Sequence, residues 1–252
     1  MAWTIEPIAL HRVQVPGPEV LFQRGFGEMI DIMIYAFVLR GGGQVCLVDT
    51  GLPSDYSELN SNIRERKGAA SGFVDVSTPL PQELRRRGVE PDLLALTSFG
   101  PYTTGHLGAW LQCPLWVSER GCADVDLPEE PALAHAPAPA VRERLRSAQR
   151  VVGNKEILPG LTFVEVGIHH PASAALFIET DDGVVAIADP VFTARNLLQG
   201  TALGAAEHAA GWHGMVRLLG QRCDAIIPIH DMSAAPVPRA RWHASLTAKS
   251  AP

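Results

Sequence analysis

Four apolar runs in this chain end on polar residues of the kinds that bind metals or move protons. Asp49 follows Val45 to Val48, His169 and His170 follow Phe163 to Val166, Asp189 follows Val184 to Ala188, and His230 with Asp231 follows Ile226 to Ile229. Imidazoles and carboxylates ligate zinc and non-haem iron, and they are also the usual general acids and bases. A lone His or Asp at a strand end is more often a turn former or a local hydrogen-bonder. Four in this order suggest one sheet edge that delivers side chains to a shared cleft. The candidates for that cleft are Asp49, His169, His170, Asp189, His230 and Asp231.

Taken together, these segments resemble the metallo-β-lactamase superfamily, and more narrowly its N-acyl-homoserine-lactonase-like branch, from about Ile30 to Asp231. Val48-Asp49-Thr50-Gly51 is similar to the family's early strand and Asp-Thr-Gly turn. Gly167-Ile168-His169-His170-Pro171-Ala172-Ser173 resembles the Gly-His-Thr-Pro-Gly-Ser element that carries a metal-binding His. The segment from Asp189 to Asn196 resembles the one with the metal-bridging Asp, and Ile227-Pro228-Ile229-His230-Asp231 the closing Pro-Gly-His-Asp element. The resemblance implies an α/β fold, a four-layer αββα sandwich of the metallo-β-lactamase type. It also implies that Asp49 steadies a neighbouring loop.

The family's main signature, His-x-His-x-Asp-His, should follow Leu96-Thr97. Ser98, Gly100, Tyr102 and Thr103 stand at its four ligand positions. Phe192 stands where the branch often carries a Tyr, and a phenyl ring cannot supply that hydroxyl's hydrogen bond. By the resemblance, one metal subsite keeps His169, the other keeps His230, and the two share Asp189. A divalent ion needs about three protein ligands to hold against water. The expectation is therefore no metal and no other cofactor. The alternative is a single zinc or iron ion on His169, Asp189 and His230, with His106 or His170 near enough to help. Tyr102 is a further candidate acid or hydrogen-bond donor. Ser98 with His169 or His230 could imitate a nucleophile–base pair. Ser98, Phe99, Thr103, His106 and Phe192 would line the emptied cavity.

The elements that must position these residues read mainly as strands with helices between them. Ile30 to Leu39 and Val45 to Val48 form a hairpin around Gly41-Gly42-Gly43. Further strands are expected at Leu93 to Thr97, Pro114 to Ser118, Leu161 to Val166, Ala175 to Glu179, Val184 to Ala188 and Ala225 to Ile229. Helices are expected at Leu80 to Arg87, Val141 to Val152 and Glu207 to Leu219. Leu52 to Phe73 reads as polar and irregular, and Pro128 to Pro139 as a Pro/Ala-rich loop. The expected organisation is one domain over 1–232 and an extended C-terminal tail over 233–252.

The chain has 252 residues, with 27 acidic against 21 basic side chains and a formal charge of -6. No basic run offers a footprint for nucleic acid, and no apolar stretch approaches the ~20 residues that span a bilayer. Cys46, Cys113, Cys122 and Cys223 include no CxxC pair and read as thiols of a reducing cytoplasm. The leading expectation is a metal-deficient, non-catalytic subunit of a hydrolase system, paired with a metal-bearing paralogue in an oligomer. Phe73, Trp110 and Trp242 are its expected interface residues. One alternative is a hydrolase of small lactones, esters or aryl ethers; another is a protein that binds or senses a small molecule.

Overall fold

The computed structural model describes residues 2–68, 71–126 and 137–247. The β-branched run over 29–41 forms β2 (Met29–Gly41), and the chain turns back at once into β3 (Gln44–Val48). Gly42 and Gly43 have φ of 60° and 74°, the sign that a two-residue hairpin turn needs and glycine adopts at little cost. Ahead of the hairpin lies β1 (Thr4–Pro16), which pairs with β2 from Thr4 opposite Arg40 to Pro16 opposite Met29. A register shift between Ala9 and His11 breaks its alternation. That bulge and Pro7 hide the strand from a pattern reading.

Helix α1 (Gly17–Val20) joins β1 to the loop before β2. The segment over 52–73, expected to be irregular, contains α2 (Ser57–Lys67), of which only Ile63 is fully buried. A helix so polar shows no apolar stripe in sequence. Then come β4 (Val74–Asp75), α3 (Leu80–Arg86), β5 (Leu93–Ala95), α4 (Pro101–Thr104), β6 (Leu115–Ser118) and α5 (Glu119–Asp126). The expected helix over 141–152 splits into α6 (Pro139–Arg146) and β7 (Gln149–Val151), because Trp116 to Ser118 take the later residues as a parallel partner. Residues 127–136 of the expected Pro/Ala-rich loop lie outside the described residues.

The second half supplies β8 (Asn154–Leu158), β9 (Leu161–Glu165), β10 (Ala174–Thr180), β11 (Gly183–Ala188), α7 (Ala194–Leu198), α8 (Trp212–Gly220), β12 (Ala225–Pro228), β13 (Val237–Pro238) and α9 (Arg239–Thr247). One sheet has the order β4-β1-β2-β3-β5-β6-β7 and the other β13-β12-β11-β10-β9-β8. Alternate residues of β2 enter different cores. Phe37 and Leu39 join Phe163, Leu176 and Ile178 between the sheets. Ala36 and Val38 join Leu80, Leu84 and Leu145 beneath α3 and α6. Trp212, Met215 and Trp242 of α8 and α9 cover the second sheet from outside. The layers are thus helix, sheet, sheet, helix, as expected.

Two expectations need correction. The tail is not extended as far as Thr247: Val237 pairs with Ile226, and α9 docks through a fully buried Trp242. Nor are the three expected interface residues exposed. Phe73 and Trp242 are buried, and Trp110 is half-buried against the core under α3 and α6. Their large apolar area is used inside this chain. Trp242 also explains Gly220, where a Cβ would stand 2.7 Å from the Trp242 ring. Trp242→Ala is expected to cost about 3–5 kcal/mol, in line with other buried aromatic truncations. Urea denaturation checks this; a tail that adds no stability would leave the midpoint unchanged.

Candidate functional site

The site lies where the C-terminal ends of strands from both sheets meet. Strands β3 and β5 run parallel, as do β11 and β12. Their ends therefore release Asp49, Thr97, Asp189 and His230 on one edge. Ala174 N–H donates to Thr97 C=O at 2.8 Å, a hydrogen bond that joins the two sheets at this edge.

Asp49 sits beneath the joint, 1% exposed and at φ 60°. Its carboxylate accepts Thr97 N–H at 2.8 Å and the Thr97 hydroxyl at 2.6 Å. Burial pushes its pKa up to about 8; the two Thr97 bonds oppose the rise and the charge of Asp189 adds to it. The role expected of Asp49, steadying the loop that follows β5, matches this geometry.

That loop places Ser98 Oγ 2.7 Å from His170 Nε2. The other ring nitrogen, Nδ1, accepts Ala172 N–H at 3.2 Å. An Nδ1 that accepts carries no proton, so the neutral ring has its proton on Nε2 and donates it to Ser98. Ser98 Oγ also accepts Gly100 N–H at 3.2 Å. A base would need a free lone pair at Nε2, so this arrangement does not activate Ser98 as a nucleophile. Burial, reinforced by the charge of His169 and opposed by that of Asp189, lowers the His170 pKa to about 4.

His169 Nδ1 lies 3.1 Å from Asp189 Oδ2, and the Ser173 hydroxyl donates to the same oxygen. Burial alone would raise the Asp189 pKa. The charge and hydrogen bond of His169, the charge of His170 and the Ser173 bond bring it below its ordinary value. The ligand atoms of His169, His170 and Asp189 all lie within 4.8 Å of one another, the one such group among the described residues. Two imidazoles and a carboxylate of the kinds that bind a divalent metal therefore converge here. They are not the trio expected from the sequence, because His170 takes the place of His230.

His230 is held differently. Its Nδ1–H donates to Met33 C=O at 2.9 Å, while Met33 N–H donates to His230 C=O at 3.0 Å. Burial takes its pKa down to about 4, against the upward pull of the Met33 bond and of Asp189. Phe192 packs edge-on against both His169 and His230, with ring centroids at 5.1 and 4.7 Å. An aromatic ring thus contacts both of these imidazoles.

Of the remaining candidates, Tyr102 meets Phe73 and His230 edge-on, with ring centroids at 5.6 and 6.1 Å. Burial and the charge of Glu19 push its pKa upward, against Arg66, so its hydroxyl stays protonated. Thr103 caps its own loop, its hydroxyl donating to Ser98 C=O at 2.8 Å. Phe99 turns away into the core under α3 and α6 and does not line the cleft. His106 packs near His11, and burial lowers its pKa. At its strand end His170 reads only as a possible helper to the other ligands. A reading of strand ends does not single out Ser173, whose only signal is membership of the segment that carries His169.

No family model and no curated protein matches the sequence. Solved structures do. An N-acyl homoserine lactone hydrolase, with N-hexanoyl-L-homoserine at its catalytic metal centre, superposes with a TM-score of 0.74 at 17% identity, covering 92% of this chain and 95% of that one. A mutant of the AiiA protein of B. thuringiensis, with N-decanoyl-L-homoserine at its active site, gives 0.75 and 17% over the same shares. A hydrolase of the β-lactamase superfamily gives 0.59 and 11%, covering 94% and 89%. The chain has the metallo-β-lactamase fold, shared with metal-dependent hydrolases that include lactonases. Among the described residues, no helix is long and apolar enough to cross a membrane.

The buried groups make stability depend on pH with opposite signs. His170 and His230, near 4 when folded against 6.5 free, bind fewer protons in the folded state, so their contribution rises between those values. Asp49, near 8 against 3.8, binds more protons when folded, so its contribution falls across its own window. Only the Asp49 decline remains between pH 6.5 and 8. Asp49→Asn is expected to flatten that decline in urea midpoints; an equal decline in the variant would contradict the assignment.

Proposed function

We propose that this chain is a non-catalytic member of a hydrolase system, a metallo-β-lactamase-fold subunit that works beside a metal-bearing paralogue. The observation that carries the reading is the double engagement of His170, whose ring nitrogens are taken by Ser98 and by Ala172 N–H. Without that imidazole, His169 and Asp189 are two ligands, below the roughly three that hold zinc. A resident metal therefore does not fit the donor set as it is bonded. Ser98, at a position of the lost signature, supplies the bond that withholds a ligand. The exposed Phe22 and Phe26 (42% and 76%) offer an apolar surface for the partner, in place of the buried residues first expected.

One observation favours a second reading, a mononuclear metal-dependent hydrolase of small lactones or esters. The separation of 3.1 Å between His169 Nδ1 and Asp189 Oδ2 is also close to that of two ligands sharing one ion. In this reading His170 must give up its bond to Ser98.

Elemental analysis of protein purified without a metal-affinity tag separates the two. The expected result is zinc plus iron well below one per chain, and no lactone or ester hydrolysis after incubation with excess zinc. One tightly held equivalent, with turnover that His169→Ala and Asp189→Ala both abolish, would replace the first reading by the second.

A further inference from the structure

We propose that the groove between α8 and the second sheet is a binding site for a small amphipathic carboxylate, an acyl or aryl chain ending in one carboxylate. This inference does not rest on the reading of the cleft. The groove measures about 540 Å³, within the roughly 300–1,000 Å³ of small-molecule sites. Phe177 and Met215 give it an apolar lining, and Leu218, 63% exposed, stands among the residues at its border.

Its lining carries one cation and one carboxylate. Arg222 is the lone cation of the lining and lies 4.6 Å over the Phe177 ring. Among the described residues no carboxylate pairs with it. The lone carboxylate of the lining, Glu165, is already committed. Its Oε1 accepts the Ser118 hydroxyl and Arg120 N–H, and its Oε2 accepts Gly153 N–H. The groove therefore offers an apolar bed with an unpaired guanidinium, a fork suited to a carboxylate.

Gly214 adds an independent observation. It is the third residue of α8, and a Cβ built there would meet nothing within 4 Å. Glycine in a helix costs up to about 1 kcal/mol relative to alanine, and no packing inside this chain requires it. Its missing side chain leaves the groove open along that turn. The groove also backs onto the segment that carries His169. Val166 lines it, and Glu207 N–H and His208 N–H hold His169 and Ile168 by their carbonyls.

Isothermal titration of the full chain with octanoate, octylamine and octanol tests the proposal. Octanoate is expected to bind saturably at one site, with octylamine and octanol each about tenfold weaker or worse, equivalent to ~1.4 kcal/mol. Arg222→Gln should weaken octanoate by about the same factor and leave octanol unchanged. Gly214→Leu, which fills open space and favours the helix, should abolish octanoate binding at unchanged circular dichroism. The surface variant Arg222→Gln decides the matter if the filled variant misfolds. Absence of saturable octanoate binding, equal binding of octylamine, or unaltered binding in the variants would overturn the proposal. So would a change in sedimentation of Gly214→Leu without loss of octanoate, which would give the groove to a second copy of the chain.

Discussion

Thr97 is held at three points, and the arrangement of the cleft depends on that clamp. Its N–H and hydroxyl both end on the buried Asp49 carboxylate, and its carbonyl accepts Ala174 N–H from the other sheet. Asp49 comes from the end of β3 and Thr97 from just past the end of β5, so a single residue ties two parallel strands of one sheet to β10 of the other. The cost is a carboxyl taken out of water, visible in its raised pKa. The gain is a fixed exit for the next residue, Ser98. From that exit Ser98 reaches His170, 72 positions further along the chain.

Beyond Thr97 lies a cluster of polar side chains bonded to one another and to nearby backbone. Asp189 is bonded by His169 and Ser173, His170 by Ser98 and Ala172, and His230 by Met33. Low-dielectric surroundings make each bond stronger and each loss costlier. Aromatic contacts extend the cluster outward, from Phe192 and His230 through Tyr102 to Phe73 and Tyr56.

Much of the fold was legible because it rests on local pattern. The Gly41-Gly42-Gly43 turn marked the β2–β3 hairpin, and apolar runs ending on Asp49, Asp189 and His230 marked the strand ends. What escaped had non-local causes. β1 gains its pairing from β2, with partners as far apart as Thr4 and Arg40, and is interrupted by a bulge. α2 buries one residue, and α9 is fixed by Trp242 against Gly220. In the site, the strand ends could be read from local pattern, but which of their side chains converge depends on contacts between distant segments. The converging trio holds His170 rather than His230, and Phe192 packs edge-on against His169 and His230. Phe99, expected in the cavity, faces the opposite core.

The central claim is that Ser98 and Ala172 hold the His170 ring as the neutral Nε2–H tautomer and withhold it from any metal. Long-range proton–nitrogen NMR correlations of the histidine side chains read this directly. The account predicts that His170 shows a protonated Nε2 and an unprotonated Nδ1 from about pH 5 to 8, unchanged by added zinc. An Nε2 that lacks its proton, or that shifts to the metal-bound range when zinc is added, would contradict it.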